Sequence, residues 1–319
     1  MTAGTIQRDA AARPSLPYLL PRHEVAGSSG APVVLVLGGI SSTCHVTSTE
    51  SDRQPGWWED IVGAGRAVDT NHFRVLGVEF LDGGRAIDGR PRRVVTTHDQ
   101  ADAIAALLDC LEVRRLHAVV GASYGGMVGL SLAERYPKLL DRLIVIGAAH
   151  VSHPLSTALR AIQRRIVSLG LETGRTREGV ILARALATTT YRSANEFEER
   201  FGEDCDLREG ASAFAVEDYL VHGGERFAAV CTPERFLALS LSADLHRVRP
   251  EDIRVPALLI AAEGDALVPE AHMEELRRRF GAPCNLVRMP SRTGHDAFLA
   301  EPSTIGPILH AAVSGEVFP

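Results

Sequence analysis

Three residues far apart in the chain have the types that acyl-transfer chemistry needs: Ser123 in GASYGGM (121–127), Asp265 in AAEGDALVP and His295 in RTGHDAFL. A serine hydroxyl is a weak nucleophile until a base takes its proton, and the base must be oriented by a third group. Gly121, Ser123 and Gly125 form G-x-S-x-G between the apolar run Leu116 to Val120 and the helix-like run Val128 to Tyr136. That is the strand-turn-helix context of a nucleophile elbow. The turn is tight, so a Cβ at either flank would meet the neighbouring strand or helix. Taken alone, the pattern is also what an ordinary Gly-rich turn looks like.

The partners sharpen the reading. In an elbow of this kind the chain order is serine, then acid, then histidine. Asp265 directly follows the apolar run Leu258 to Ile260, which puts it at the carboxyl edge of a sheet. His295 follows a short run, Asn285 to Met289, and precedes a final helix. Asp252 and Asp244 lie before the strand rather than at its carboxyl end, and His272 and His310 fall within expected helices. The spacing therefore selects Ser123, Asp265 and His295. A tetrahedral intermediate also needs backbone donors. One is the amide of Tyr124, the residue after the nucleophile. The other comes from the loop GGISS at 38–42, with Ile40 preferred and Gly39 and Ser41 as alternatives.

Such a constellation needs a scaffold that brings strand ends together. Val33 to Leu37, the stretch around Val75 to Phe80, Leu116 to Val120, Leu143 to Ile146 and Leu258 to Ile260 are short apolar runs. Near-continuous runs of this length suit strands buried on both faces of a parallel sheet. Helical patterns lie between them. In TTHDQADAIAALLDCL, Ile104, Leu107, Leu108 and Leu111 follow the spacing of one helix face, and Thr97 with Gln100 has the form of a capping box. Alternating strands and helices define an α/β fold. The alternation stops between about His150 and Pro250, where LSTALRAIQRRIVSLG and SANEFEERFG are charged and helix-prone. The expected organisation is a core formed by 16–149 and 251–319, a helical lid inserted at 150–250, and a poorly ordered stretch at 1–15.

Composition limits the partners. With 319 residues, 45% of them hydrophobic, the chain can bury a large core, and a formal charge of −6 disfavours nucleic acid, whose phosphates call for a basic excess. Five widely spaced cysteines with no C-x-x-C pair suggest reduced cytoplasmic thiols rather than a disulfide framework or a metal site. No segment approaches the ~20 apolar residues of a membrane span, and no signal-peptide core is visible.

GASYGGM, GHDAFL, LARALATTTYRSANEFEERFG, VEDYL and PGWWEDIVGAGRAVDT together resemble the homoserine O-acyltransferase family, over about Val33 to Leu299. The resemblance implies an α/β-hydrolase fold and O-acylation of L-homoserine, a step toward methionine. The acyl donor would be succinyl-CoA or acetyl-CoA as co-substrate, with no permanently bound cofactor, and lid helices would form a homodimer. It also implies that Arg184 binds the substrate carboxylate, that Tyr191 belongs to the same site, and that Asp296 binds the ammonium. An arginine fork suits a carboxylate. L-Serine as acceptor, or hydrolysis of an ester or thioester, are the alternatives. Tyr124 stands where the family usually has methionine, and GGIS resembles the branch associated with succinyl-CoA, which tips the donor slightly that way. Arg192 is either a partner for a succinyl carboxylate or a solvated arginine. Arg164, Arg165 and Arg277 to Arg279 read as solvated helix faces in preference to contacts for CoA phosphates, and Trp57 and Trp58 as packing beside the mouth of the site.

Overall fold

The structure is a computed structural model that describes residues 20–83, 94–202 and 214–316; the expected disorder at 1–15 lies outside them. The strands are β1 (His23–Ala26), β2 (Val33–Leu37), β3 (Val62–Gly63), β4 (Val68–Asp69), β5 (Arg74–Val78), β6 (Ala118–Ala122), β7 (Leu143–Ile146), β8 (Ala257–Ala262) and β9 (Cys284–Met289). Seven of them form one sheet in the order β1-β5-β2-β6-β7-β8-β9. Only β1 is antiparallel to its neighbour. This is the α/β-hydrolase fold.

The helices are α1 (Thr97–Cys110), α2 (Tyr124–Arg135), α3 (Pro154–Glu172), α4 (Thr176–Tyr191), α5 (Ala194–Phe201), α6 (Ala215–Val230), α7 (Pro233–Leu245), α8 (Glu270–Arg279), α9 (Ala297–Ala300) and α10 (Pro302–Ser314). Successive strand residues alternate between two cores. Leu35 and Leu37 face α1, α2 and α8, whereas Val34 and Val36 face α10. Both faces are covered, which is why these strands read as unbroken apolar runs. Parallel pairing aligns the strand ends: Leu37 pairs with Gly121, Ala122 with Ile146, and Ile146 with Ile260. The loops after β2, β6, β7, β8 and β9 therefore emerge along one edge.

Between β7 and β8 the chain leaves the core and builds α3 to α7. A bridge between Val151 and Arg247 joins the two ends of this excursion. The lid has a small core of its own, made of Val167, Val180, Ala183, Phe227, Cys231 and Phe236. Leu239 and Ala243 of α7 instead join the main core, which fixes the lid over the sheet edge.

Some boundaries differ from the sequence reading. The capping box of α1 is Thr96 with Asp99, not Thr97 with Gln100. Thr97 faces inward, its Oγ1 2.8 Å from Nδ1 of the buried His246, and the Gln100 amide spans the backbone of Leu81. Helix α2 starts at Tyr124, directly after the serine, rather than at Val128. The short strands β1, β3 and β4 had no apolar run to mark them.

Candidate active site

Ser123 lies between β6 and α2 with φ 54° and ψ −120°, a conformation that L-residues rarely adopt. Such strain costs of order 1–3 kcal/mol and persists only where the surroundings enforce it. Here the enforcement is visible. A Cβ on Gly121 would come within 2.4 Å of the Gly125 carbonyl oxygen, and one on Gly125 within 2.2 Å of the Leu37 carbonyl oxygen. Only glycine at both flanks lets the helix pass this close to β2 and β6, and the serine hydroxyl is thereby raised above the sheet edge.

His295 Nε2 is 2.8 Å from Ser123 Oγ, and His295 Nδ1 is 2.7 Å from Asp265 Oδ2. Because a carboxylate can only accept, Nδ1 carries the hydrogen and Nε2 is left to accept the serine proton. Asp265 is held in turn: its Oδ1 accepts the amides of Leu267 at 2.8 Å and Val268 at 2.9 Å. Burial pulls the His295 pKa down. The charge and hydrogen bond of Asp265, reinforced by Asp296, outweigh it and raise the pKa above the usual histidine value. The site thus holds a base whose protonated form is stabilised, as an acyl-transfer cycle requires.

The residues expected to donate to an oxyanion lie beside Ser123. Tyr124 is the first residue of α2, where an amide has no acceptor within its helix. Ile40 lines the cleft together with Ser123, as do Gly39 and Ser41. The Tyr124 ring turns away into the core, where its hydroxyl is 2.7 Å from Ser242 Oγ of α7. Burial pushes that phenol up to about 12, so it stays neutral.

The cleft in front of Ser123 encloses about 600 Å³, its open mouth included, and Arg184, Tyr191, Asp296 and Trp57 line it. Arg184 has no carboxylate partner among the described residues. Its guanidinium lies 5.0 Å from the Tyr191 ring and 4.8 Å from the Phe227 ring, clamped between two aromatic faces. A fixed, unpaired cation and the Asp296 carboxylate thus face the same space as the nucleophile.

Arg192 departs from both readings given it. Its Nε lies 3.2 Å from Asp296 Oδ2, out of line for a hydrogen bond, and its Nη1 is 3.1 Å from Glu196. It is a part-buried, ion-paired residue, and it lines neither cleft that contains Ser123. Arg164 is likewise not solvated but bound to Asp244 at 2.6 Å. Arg165 is paired with Glu172, Arg277 with Glu274, and Arg279 with Glu251. Of the competing acids, Asp244 is held by Arg160 and Arg164, and Asp252 faces Arg249.

The loop that carries His295 is held by contacts that the sequence reading did not assign. One Glu301 oxygen accepts from Ser291 Oγ, the Arg292 and Thr293 amides and Thr293 Oγ1, at 2.7–2.9 Å, and so shapes the loop leading to His295. Trp58 Nε1 donates to the Phe298 carbonyl at 2.8 Å on the far side of His295, while Trp57 stacks on Trp58. Ser193, just after α4, donates its amide to the Thr293 carbonyl at 3.0 Å and ties the lid to that loop. Motif spacing carries no trace of such contacts.

Fold and site together define an α/β-hydrolase-type enzyme, and a family model described as alpha/beta hydrolase fold matches residues 32–302. A homoserine O-succinyltransferase of Xanthomonas campestris is 42% identical over 92% of this chain and 78% of its own. An L-serine/homoserine O-acetyltransferase of Streptomyces lavendulae is 33% identical over 89% of both chains. The structure of a homoserine O-acetyltransferase from Bacillus anthracis superposes with a TM-score of 0.82 over 91% of each chain at 18% identity, a likeness of fold. The chain belongs to the homoserine O-acyltransferase family.

Proposed function

We propose that the protein transfers an acyl group from acyl-CoA to the side-chain hydroxyl of L-homoserine through an acyl-serine, with succinyl-CoA slightly favoured over acetyl-CoA. One observation carries the reading: the Ser123–His295–Asp265 relay shares its cleft with the unpaired Arg184 and with Asp296. In the first half-reaction His295 takes the Ser123 proton and Oγ attacks the thioester carbon. The amides of Tyr124 and Ile40 hold the oxyanion, the C–S bond breaks, and His295 returns the proton to the departing thiolate. In the second, His295 takes the proton of the amino-acid hydroxyl, which attacks the acyl-serine; the C–Oγ bond breaks and Ser123 recovers its proton.

Arg184 would grip the acceptor carboxylate and Asp296 its ammonium, with Tyr191 keeping the Arg184 fork in place. Water competes for the acyl group. An oriented hydroxyl prevails because effective molarities in such sites reach on the order of 10⁵ M or more. The reading extends to a place in methionine synthesis and to a homodimer formed through the lid. A dimer is supported by the exposed Leu155, Ile162 and Leu169, which recur every seventh residue along α3.

The test is release of free thiol from succinyl-CoA or acetyl-CoA by the purified protein, with and without L-homoserine or L-serine. Acceleration by L-homoserine is expected. Release no faster with either amino acid than without would make the protein a thioesterase, and a clear preference for L-serine would reassign the acceptor.

A further inference from the structure

A second cavity borders the nucleophile and shares Ile40, Ser123, Tyr191 and His295 with the first cleft. Ile40, Met127, Ala243, Leu267 and Val268 line it beside Ser123, and its space, open mouth included, is about 410 Å³. Among the lining residues, one carries a permanent positive charge: Arg160 of α3. An arginine in an apolar cavity is costly unless it is held and given something to bind.

Arg160 is held from one side. Its Nε donates to Asp244 Oδ1 at 2.7 Å, and its Nη2 donates to Ser152 Oγ. Nη1 has no protein acceptor among the described residues. Asp244 does not neutralise the group, because its other oxygen accepts from Arg164 Nη1 at 2.6 Å. Two guanidinium groups thus share one buried carboxylate, and a net positive charge remains beside the cavity. Arg160 is 15% exposed and Asp244 6%, so solvent screens this excess weakly. The charge also reaches the catalytic centre, where it opposes protonation of His295.

From these observations we infer that this cavity is the acyl pocket and that Arg160 selects a donor whose acyl chain ends in a carboxylate. The acyl carbonyl sits at Ser123 Oγ, the methylenes lie against Met127, Leu267 and Val268, and the terminal carboxylate meets Nη1 of Arg160. The two open cations near Ser123 then have separate tasks. Arg184 in the first cleft reads the acceptor, and Arg160 in the second cavity reads the donor. An acetyl group would leave the Arg160 charge unanswered. The inference rests on the proposed acyl transfer and deepens it by naming the donor class and the residue that distinguishes it.

The experiment compares kcat/KM for succinyl-CoA and acetyl-CoA at saturating L-homoserine in the wild type, Arg160→Leu and Arg160→Lys. The wild type is expected to favour succinyl-CoA. In Arg160→Leu the succinyl-to-acetyl ratio should fall by ~100-fold or more, since one partner of a buried charge pair is lost. Arg160→Lys, which keeps the charge but not the fork, should restore part of the ratio. A purely structural role would depress both donors alike and leave the ratio unmoved, which would overturn the inference. So would a wild type that prefers acetyl-CoA. If the wild type turns over neither thioester, the acyl-transfer reading fails and this one with it; turnover of acetyl-CoA alone removes only this one. Should Arg160→Leu not fold, the ratio in Arg160→Lys decides: unchanged discrimination with the fork gone counts against the assignment.

Discussion

His295 Nε2 sits 2.8 Å from Ser123 Oγ, although the two residues are 172 positions apart in the chain. The closeness follows from the sheet: β6 and β9 end along the same edge, and the loops that leave them converge. His295 must be unprotonated to take the serine proton. Its pKa lies above the ordinary value because Asp265 outweighs burial, so the rate of acylation should rise with pH through a midpoint above 6.5 and then level off. Asp265→Asn removes the larger upward push and leaves only that of Asp296 against burial, which acts downward. The midpoint should move to lower pH while the plateau rate drops by ~10⁴-fold. Pre-steady-state thiol release across pH reads both quantities; a midpoint that stays put in Asp265→Asn would mean that a different group titrates.

Arg184→Met should weaken the acceptor side more than the donor side. The KM for L-homoserine is expected to rise about 100-fold, the scale of losing a bidentate charged contact in a shielded cleft. Acyl-enzyme formation, followed without acceptor, should suffer much less. Equal losses in the two half-reactions would place Arg184 in the framework of the site rather than in acceptor binding.

Glu301 offers a combined test of stability and positioning. Burial alone would raise its pKa, but the hydrogen bonds from Thr293, Ser291 and Arg292 lower it below the ordinary 4.5. A carboxylate depressed on folding contributes stability that is fully present above its unfolded pKa and is lost as pH falls through the folded one. Glu301→Gln should therefore cost about 2 kcal/mol at pH 7. The gap between variant and wild type should narrow below pH 4.5 in denaturant titrations. With its loop loosened, His295 should lose alignment and kcat should fall ~10-fold or more. Wild-type kcat in the variant would show that the loop holds without this carboxylate.

The lid stripe can be tested by charge. Leu155, Ile162 and Leu169 are 56%, 53% and 51% exposed in the single chain, and a packed partner would cover them. Ile162→Glu should convert a dimer into a monomer in sedimentation velocity. A wild type that sediments as a monomer at micromolar concentration would remove the dimer from the account.

How much of this was legible beforehand depended on whether a feature was local. Val33 to Leu37 and Leu143 to Ile146 are strands in the structure, since burial on both faces forces an unbroken apolar run. The strained turn at Ser123 was legible for a related reason: only glycine tolerates its flanks, so the constraint is written as residue type. By contrast, β1 has a half-buried HEVA pattern, and β3 and β4 span two residues each, too short to show any period. The capping box was misplaced by one residue because Thr96 and Thr97 look alike in sequence. Only the buried His246, reached from the far end of the lid, shows which of the two turns inward. The ion pairs of Arg192 with Asp296, and of Arg164 and Arg160 with Asp244, join groups far apart in the chain, and a lone arginine gives no sign of where such a partner lies. The Glu301 bonds belong to the same class.

Catalysis by this site runs through a covalent acyl-serine at position 123 that a positioned amino acid discharges. Intact-protein and peptide mass spectrometry, after brief exposure to succinyl-CoA or acetyl-CoA without acceptor, measures it most directly. The expected result is one acyl mass increment on the peptide carrying Ser123, its loss on adding L-homoserine with matching O-acylhomoserine, and no increment in Ser123→Ala. An increment that survives in Ser123→Ala, or an adduct that L-homoserine does not discharge faster than water, would contradict it.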